Sequence, residues 1–269
     1  MRWGLPLVLL AALAACAAPV PPDAHVPPFA RVPYEPISRD AVVAIALREW
    51  RVFGSPVDDD PPGTRPVPEP DQKPEREQGL WQRVGEYWWL GMDAGTPEAA
   101  WTGMHDAHGN VFPASEDGRY AWSAAFISYV MRIAGAGRAF PYSASHATYI
   151  NIAKEMALGR TSGWIITAER PDGYAPQPGD LVCQGRGSAK TLTYDDLPAG
   201  AFPGHCAIVV DTSVPGTISV IGGNVDDAVT LTHVPVTPDG KLAGPDGVVL
   251  DTRYPWMVVL RLLVGAPTS

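Results

Sequence analysis

Apolar positions recur every three or four residues through the first half of the chain and every second residue through the last third. That change of period divides the sequence into a helical part and a strand part. In SRDAVVAIALREWRVFG, Ser38 precedes Val42, Ala46, Leu47, Trp50 and Phe53 at helical spacing, and Gly54 follows. The pattern predicts a helix capped at Ser38 and closed at Gly54. LWQRVGEYWWLGM places Leu80, Trp81, Val84, Tyr87 and Trp88 near one face of a second helix. YAWSAAFISYVMRIAGAG is apolar nearly all round, so it predicts a buried helix stopped by Gly135 and Gly137. SASHATYINIAKEMALG predicts a further helix, capped by Ser143 or Ser145 and ended by Gly159. From residue 164 onward WIITAE, GDLVC, HCAIVVD, TISVIGG, VTLTHVPV and WMVVLRLL read as strands between Pro, Gly and Asp turns. Helices first and strands second imply an α+β fold with a largely antiparallel sheet.

The segments before and between these elements have a different character. Residues 55–79 are acidic and Pro-rich and read as a long disordered-looking surface loop. Arg2 precedes an apolar run from Gly4 to Ala15, too short for a comfortable membrane span, and residues 1–15 read as a signal peptide. Its end, Leu13-Ala14-Ala15-Cys16, resembles a bacterial lipobox. The resemblance implies cleavage before Cys16 and lipidation of its thiol, with Ala17 favouring the periplasmic face of the outer membrane. Residues 16–36 then form a Pro-rich tether, and 37–269 a single domain. Composition narrows the partners. The net charge is −9, with no basic stripe, which argues against nucleic acid.

Apart from Cys16 the chain has two cysteines, Cys183 and Cys206. In an exported chain they are candidates for one disulfide, the other reading being two buried thiols. His105 and His108 in HDAHG have no third ligand nearby, so no metal is expected.

Three stretches carry candidate chemistry. Trp122-Ser123-Ala124-Ala125-Phe126 heads the buried helix. Gly204-His205-Cys206-Ala207 opens a strand, and Ile221-Gly222-Gly223-Asn224 closes the next. His205 follows Ser123 by 82 residues, and Asn224 follows His205 by 19. The order resembles the papain-like cell-wall amidases and endopeptidases of the CHAP and NlpC type. There a Cys at a helix N-terminus attacks, a strand His is the base, and a polar residue on the next strand orients the His. The turn PQPGDLV matches the same families. AWSAAFISYVMRIAG, SHATYI, PGDLVC, GHCAIVV and VIGGNVDDAVTL together resemble the bacterial domain of unknown function 2272, over roughly residues 37–262.

The resemblance implies a papain-like α+β domain with Ser123, His205 and Asn224 as the catalytic set. Ser123 stands where those hydrolases have Cys. A hydroxyl, unlike a thiol, cannot wait as an anion, so the base must take its proton during attack. An amide orienter supports that poorly: the equivalent carboxylate-to-amide change lowers kcat by about 10⁴ in the serine-protease template. Asp226 or Asp227 could supply the charge. His146 is a further candidate at the cleft rim, Tyr120 is either a packing residue or a donor near the oxyanion position, Arg186 is a candidate carboxylate binder, and Cys183 an alternative nucleophile. Strand alternation puts His205 and Cys206 on opposite faces, so Cys206 could pair with Cys183 behind the sheet. Two readings follow. One is an envelope amide-bond hydrolase acting on peptidoglycan or a related peptide, without a cofactor. The other is an inactive papain-like module that binds cell-wall peptide or an envelope partner.

Overall fold

Six strands form one sheet in the order β1-β6-β2-β3-β4-β5, and every neighbouring pair is antiparallel. They are β1 (Ile166–Glu169), β2 (Leu181–Gly185), β3 (Gly204–Asp211), β4 (Thr217–Val225), β5 (Ala228–Pro235) and β6 (Trp256–Leu262). Among the described residues, four α-helices precede them: α1 (Arg39–Val52), α2 (Leu80–Gly91), α3 (Ser123–Ile133) and α4 (His146–Ala157). The computed structural model describes residues 36–264 except 65–67, 71 and 94. The signal segment, Cys16 and residues 16–35 of the tether lie outside the described residues.

Period decides which face each strand residue serves. Leu181, Cys183, Cys206, Ile208 and Ile221 pack into one core with Val42, Val84, Trp88, Phe126 and Val130 of the helices. The alternate residues Val182, Ala207, Val209 and Val220 join a second core with Val234 and Trp256. Helix α3 lies at the centre of the first core, buried from Ser123 through Met131. Two glycines let backbone approach it. A Cβ at Gly91 of α2 would sit 2.6 Å from Ala125 O, and one at Gly223 of β4 would sit 2.5 Å from Phe126 Cβ. Both distances are below any tolerable contact, so α2 and β4 reach α3 only because these residues lack a side chain.

Local signals explain the element ends. Ser38 caps α1, its Oγ accepting from Ala41 N at 3.1 Å. Gly54, Gly135 and Gly159 follow α1, α3 and α4 with φ of 82°, 92° and 67°, values a side chain disfavours. Val225 pairs with Ala228 across Asp226 and Asp227, whose φ values of 51° and 60° make the two-residue hairpin turn that matches strand twist. Asp180, in the Pro-Gly-Asp turn, is fully buried and structural. It accepts from Leu262 N, Gln177 N and Tyr174 OH at 2.8, 2.8 and 2.9 Å and pairs with Arg39 at 2.7 Å.

Residues 55–79 differ from the free surface loop their composition suggests. Asp58 N donates to Leu231 O at 2.8 Å and Leu231 N to Pro56 O at 3.0 Å, so this stretch pairs with the exposed edge of β5. Further on, Pro74–Arg76 forms a 3₁₀ turn that buries Glu75 against the head of α3.

Candidate functional site

Ser123 is the first residue of α3, and Trp122 occupies the N-cap with no side-chain cap bond. The serine is therefore not a helix cap. Its Oγ lies 2.7 Å from Nε2 of His146, the first residue of α4. The other ring nitrogen, Nδ1, meets the hydroxyl of Tyr149 in a short hydrogen bond. His146 and Tyr149 stand three residues apart, the spacing that puts side chains on one helix face. In the tautomer that leaves Nε2 free to accept from Ser123, Nδ1–H donates to the Tyr149 oxygen. Serine, imidazole and phenol thus form one buried chain of hydrogen bonds.

Burial sets the charge of this chain. Ser123 and His146 are 5% and 4% exposed. Burial first, and then the positive charges of His205 and Arg186, hold His146 well below the usual imidazole range. Burial likewise pushes the Tyr149 phenol well above its usual value, so it stays neutral. His146 is then an uncharged acceptor at neutral pH, the state a general base requires.

His205 stands beside this chain without joining it. Its ring centre is 5.4 Å from that of His146, and Nδ1 is buried without a hydrogen-bond partner among the described residues. Burial, then the charge of Arg186, lowers it to about 3. The ring lies over Gly222, where a Cβ would come within 2.8 Å of Nε2. Hence Gly222 makes room for the histidine. Arg186 itself is exposed.

The other expected residues are placed elsewhere. Asn224 has φ of 55° and lies within a register shift in the β4–β5 pairing between Gly222 and Val225. It does not bond His205 Nδ1; its Nδ2 donates to Glu75 Oε2 at 3.2 Å. Asp227 is 3.3 Å from Lys73, and Asp226 acts electrostatically on Tyr254. Neither carboxylate is bonded to His205 Nδ1. Tyr120 stacks on Phe112, ring centres 3.9 Å apart, and meets Trp101 edge-on, a packing role. Cys183 and Cys206 oppose each other across β2 and β3 and are joined in a disulfide. It lies in the helix-facing core rather than behind the sheet, and it leaves no thiol at Cys183. His105 bonds Thr102 Oγ1 at 3.1 Å through Nδ1 and packs on Trp81.

A second cluster meets the same helix head. Glu75 is 2% exposed, and its Oε2 accepts from Trp122 Nε1 at 2.6 Å as well as from Asn224. Oε1 is buried with no partner among the described residues. Burial, outweighing the Trp122 hydrogen bond and aided by the charges of Asp227 and Asp117, raises this carboxyl to about 8. Tyr149 and Glu75 are the two residues that sequence reasoning missed. His-x-x-Tyr at the start of a helix is a usable signal for the first. A glutamate in a Pro-rich acidic stretch offers none for the second.

A family model described as an uncharacterized protein conserved in bacteria (DUF2272) matches residues 75–262. The chain belongs to this family. The DUF2272 span takes in Glu75, Ser123, His146, Tyr149, His205 and Asn224, and leaves α1 outside. No curated protein and no solved structure matches the chain.

Proposed function

We propose that this DUF2272 chain is a serine-dependent hydrolase of amide bonds in peptidoglycan or a related peptide, with Ser123 as nucleophile and His146 as base. The observation that carries the reading is the 2.7 Å contact between Ser123 Oγ and His146 Nε2. As Oγ attacks the amide carbonyl, its proton passes to Nε2, and the same proton later goes to the leaving amine. The first backbone N–H groups of α3 have no helical partners and carry the positive end of the helix dipole. They are suited to stabilise the oxyanion. Tyr149 orients His146 in place of the expected Asn224, and His205 lines the site in place of serving as base. A helix-head nucleophile beside antiparallel strands supports the papain-like assignment.

The lipobox-like Leu13-Ala14-Ala15-Cys16 supports export and anchoring through Cys16 at the periplasmic face of the outer membrane. Metabolic labelling with a fatty-acid analogue tests it: Cys16→Ser abolishes the label.

Soluble domain is incubated with sacculi, and released muropeptides are read by mass spectrometry. The hydrolase reading expects products that vanish in Ser123→Ala and His146→Ala and fall less in His205→Ala. No product at high loading of the unaltered domain sinks it. One observation favours a second reading, a module that binds cell-wall peptide without turnover: a phenol, not a carboxylate, stands behind His146. That reading expects muropeptide binding that survives Ser123→Ala.

A further inference from the structure

Glu75 joins three parts of the chain that are far apart in sequence. It belongs to the 74–76 turn, it accepts from Trp122 immediately before Ser123, and it accepts from Asn224 at the end of β4. Gly103 is fitted to the turn's backbone: a Cβ there would lie 1.9 Å from Glu75 O. The carboxyl is thus held in place from several sides.

Among the described residues, the cations near it are committed to other carboxylates; the charge of Lys73 lowers the carboxyl, but less than burial and the two carboxylates raise it. From its own segment, Lys73 is committed to Asp117 at 2.6 Å and Asp227 at 3.3 Å. Arg76 is committed to Asp117 at 2.6 Å and to Phe112 O at 2.9 Å. The 114–120 turn contributes Asp117, the β4–β5 turn contributes Asp227, and the N-cap of α3 contributes the neutral indole of Trp122. Asn224 adds a neutral amide from β4. As an acid, Glu75 places its carbonyl oxygen between two N–H donors and leaves a neutral hydroxyl at Oε1. As an anion, it would set a third negative charge beside Asp117 and Asp227, with one oxygen buried and unpartnered. The Trp122 N–H favours that anion, but burial and the two neighbouring carboxylates outweigh it, and water reaching Oε1 would relieve the charge.

We propose that Glu75 is a positioning residue that works as an uncharged carboxylic acid, tying the head of the serine helix to the end of β4, and that its ionisation alters this tie. The proposal rests on the hydrolase reading only for its consequence in turnover. The structural claim stands apart from it and can be measured apart from it.

The test is a pH titration of the full chain followed by ¹⁵N NMR of the indole N–H resonances, with Trp122 assigned from Trp122→Phe. The Trp122 resonance is expected to move with a midpoint near 8. In Glu75→Gln, which keeps a carbonyl acceptor and cannot ionise, that transition disappears. Asp227→Asn leaves Glu75 in place and removes a negative neighbour, so its midpoint falls below that of the unaltered chain. A transition that persists in Glu75→Gln, or a midpoint unmoved in Asp227→Asn, overturns the proposal. Where sacculi are cleaved, kcat of the unaltered chain falls above the same midpoint while that of Glu75→Gln stays level. Absence of cleavage defeats the hydrolase reading and leaves the NMR result to judge Glu75.

Discussion

The two most deeply placed glutamates of this fold differ in what surrounds them. Glu49, on α1, is fully buried, yet it accepts from Arg83 Nε at 2.6 Å, Arg48 Nε at 2.8 Å and Tyr87 OH at 2.9 Å. Burial by itself would raise its pKa, but the Arg83 and Arg48 contacts outweigh it and hold the carboxyl below its usual range. Glu75 is as deep, has two neutral donors, and is raised to about 8. The same side chain is an anion in one place and an acid in the other. Depth alone does not set charge; the count of directed cations does. Glu49 ties α1, α2 and α3 together through Arg83 and Tyr129, both of which it contacts. Glu75 ties the serine helix to β4.

Breaking that contrast is the largest effect expected. Glu49→Ala takes the buried carboxylate from Arg83, Arg48 and the Tyr87 hydroxyl, leaving Arg83 with Glu86 and Tyr129, and should destabilise by about 3–5 kcal/mol. Glu75→Ala removes a neutral group and should destabilise by about 1–2 kcal/mol at pH 7. Urea unfolding of both variants measures the difference. Equal losses would show that Glu75 is charged.

The contrast also sharpens if one glutamate is made to resemble the other. Arg83→Met removes Glu49's strongest partner and leaves Arg48. Stability should fall by about 2 kcal/mol, and the Glu49 pKa should rise, so that further stability is lost as pH increases from 5 to 8. A variant whose stability is flat over that range would show that Arg48 and Tyr87 suffice.

The sequence made some of this legible and hid the rest for physical reasons. Helices and strands were readable because their periods differ, and the serine's place at a helix head followed from the apolar run behind it. The base was not readable. His146 meets Ser123 because α4 begins against α3, with Gly204 of β3 so near that a Cβ there would lie 3.6 Å from His146 Cβ. No local pattern encodes that juxtaposition. Asn224 misleads for another reason: strand spacing assumes a regular register, and Asn224 lies within the irregularity between Gly222 and Val225, with its side chain bonded to Glu75. Glu75 was hidden by composition, since a Pro-rich acidic stretch reads as solvent-exposed.

A smaller effect separates the glutamates by pH. The folded pKa of Glu75 lies above its unfolded value, so its stabilisation is complete below the unfolded pKa and is lost as pH rises through about 8. One such group lowers stability by about 2–3 kcal/mol between pH 6 and 9. Denaturant midpoints across that range should fall for the unaltered chain and level out in Glu75→Gln. Glu49, held as an anion, contributes no slope there. A slope unchanged by Glu75→Gln would assign the alkaline loss to another group.

The acid side isolates the same principle in an imidazole. His205 is neutral for the reason Glu75 is neutral, burial without a compensating charge, but its sign is opposite. Its folded pKa of about 3 lies below the unfolded value near 6.5. The stability it contributes is therefore complete above pH 6.5 and is lost as pH falls, because the unfolded chain takes up a proton that the folded chain refuses. For one histidine this amounts to about 1 kcal/mol between pH 7 and 5.5. His146, lowered in the same direction, adds to the slope. Replacing His205 by Asn should remove its share while leaving the alkaline limb as it was. It also relieves His146 of a neighbouring charge, so the titration of His146 should shift upward in ¹H–¹⁵N spectra of the imidazoles. An acid limb unchanged by His205→Asn would mean that the His205 ring reaches water and titrates as it does in the unfolded chain. The 5.4 Å pair of imidazoles would then have to be open to solvent at the serine.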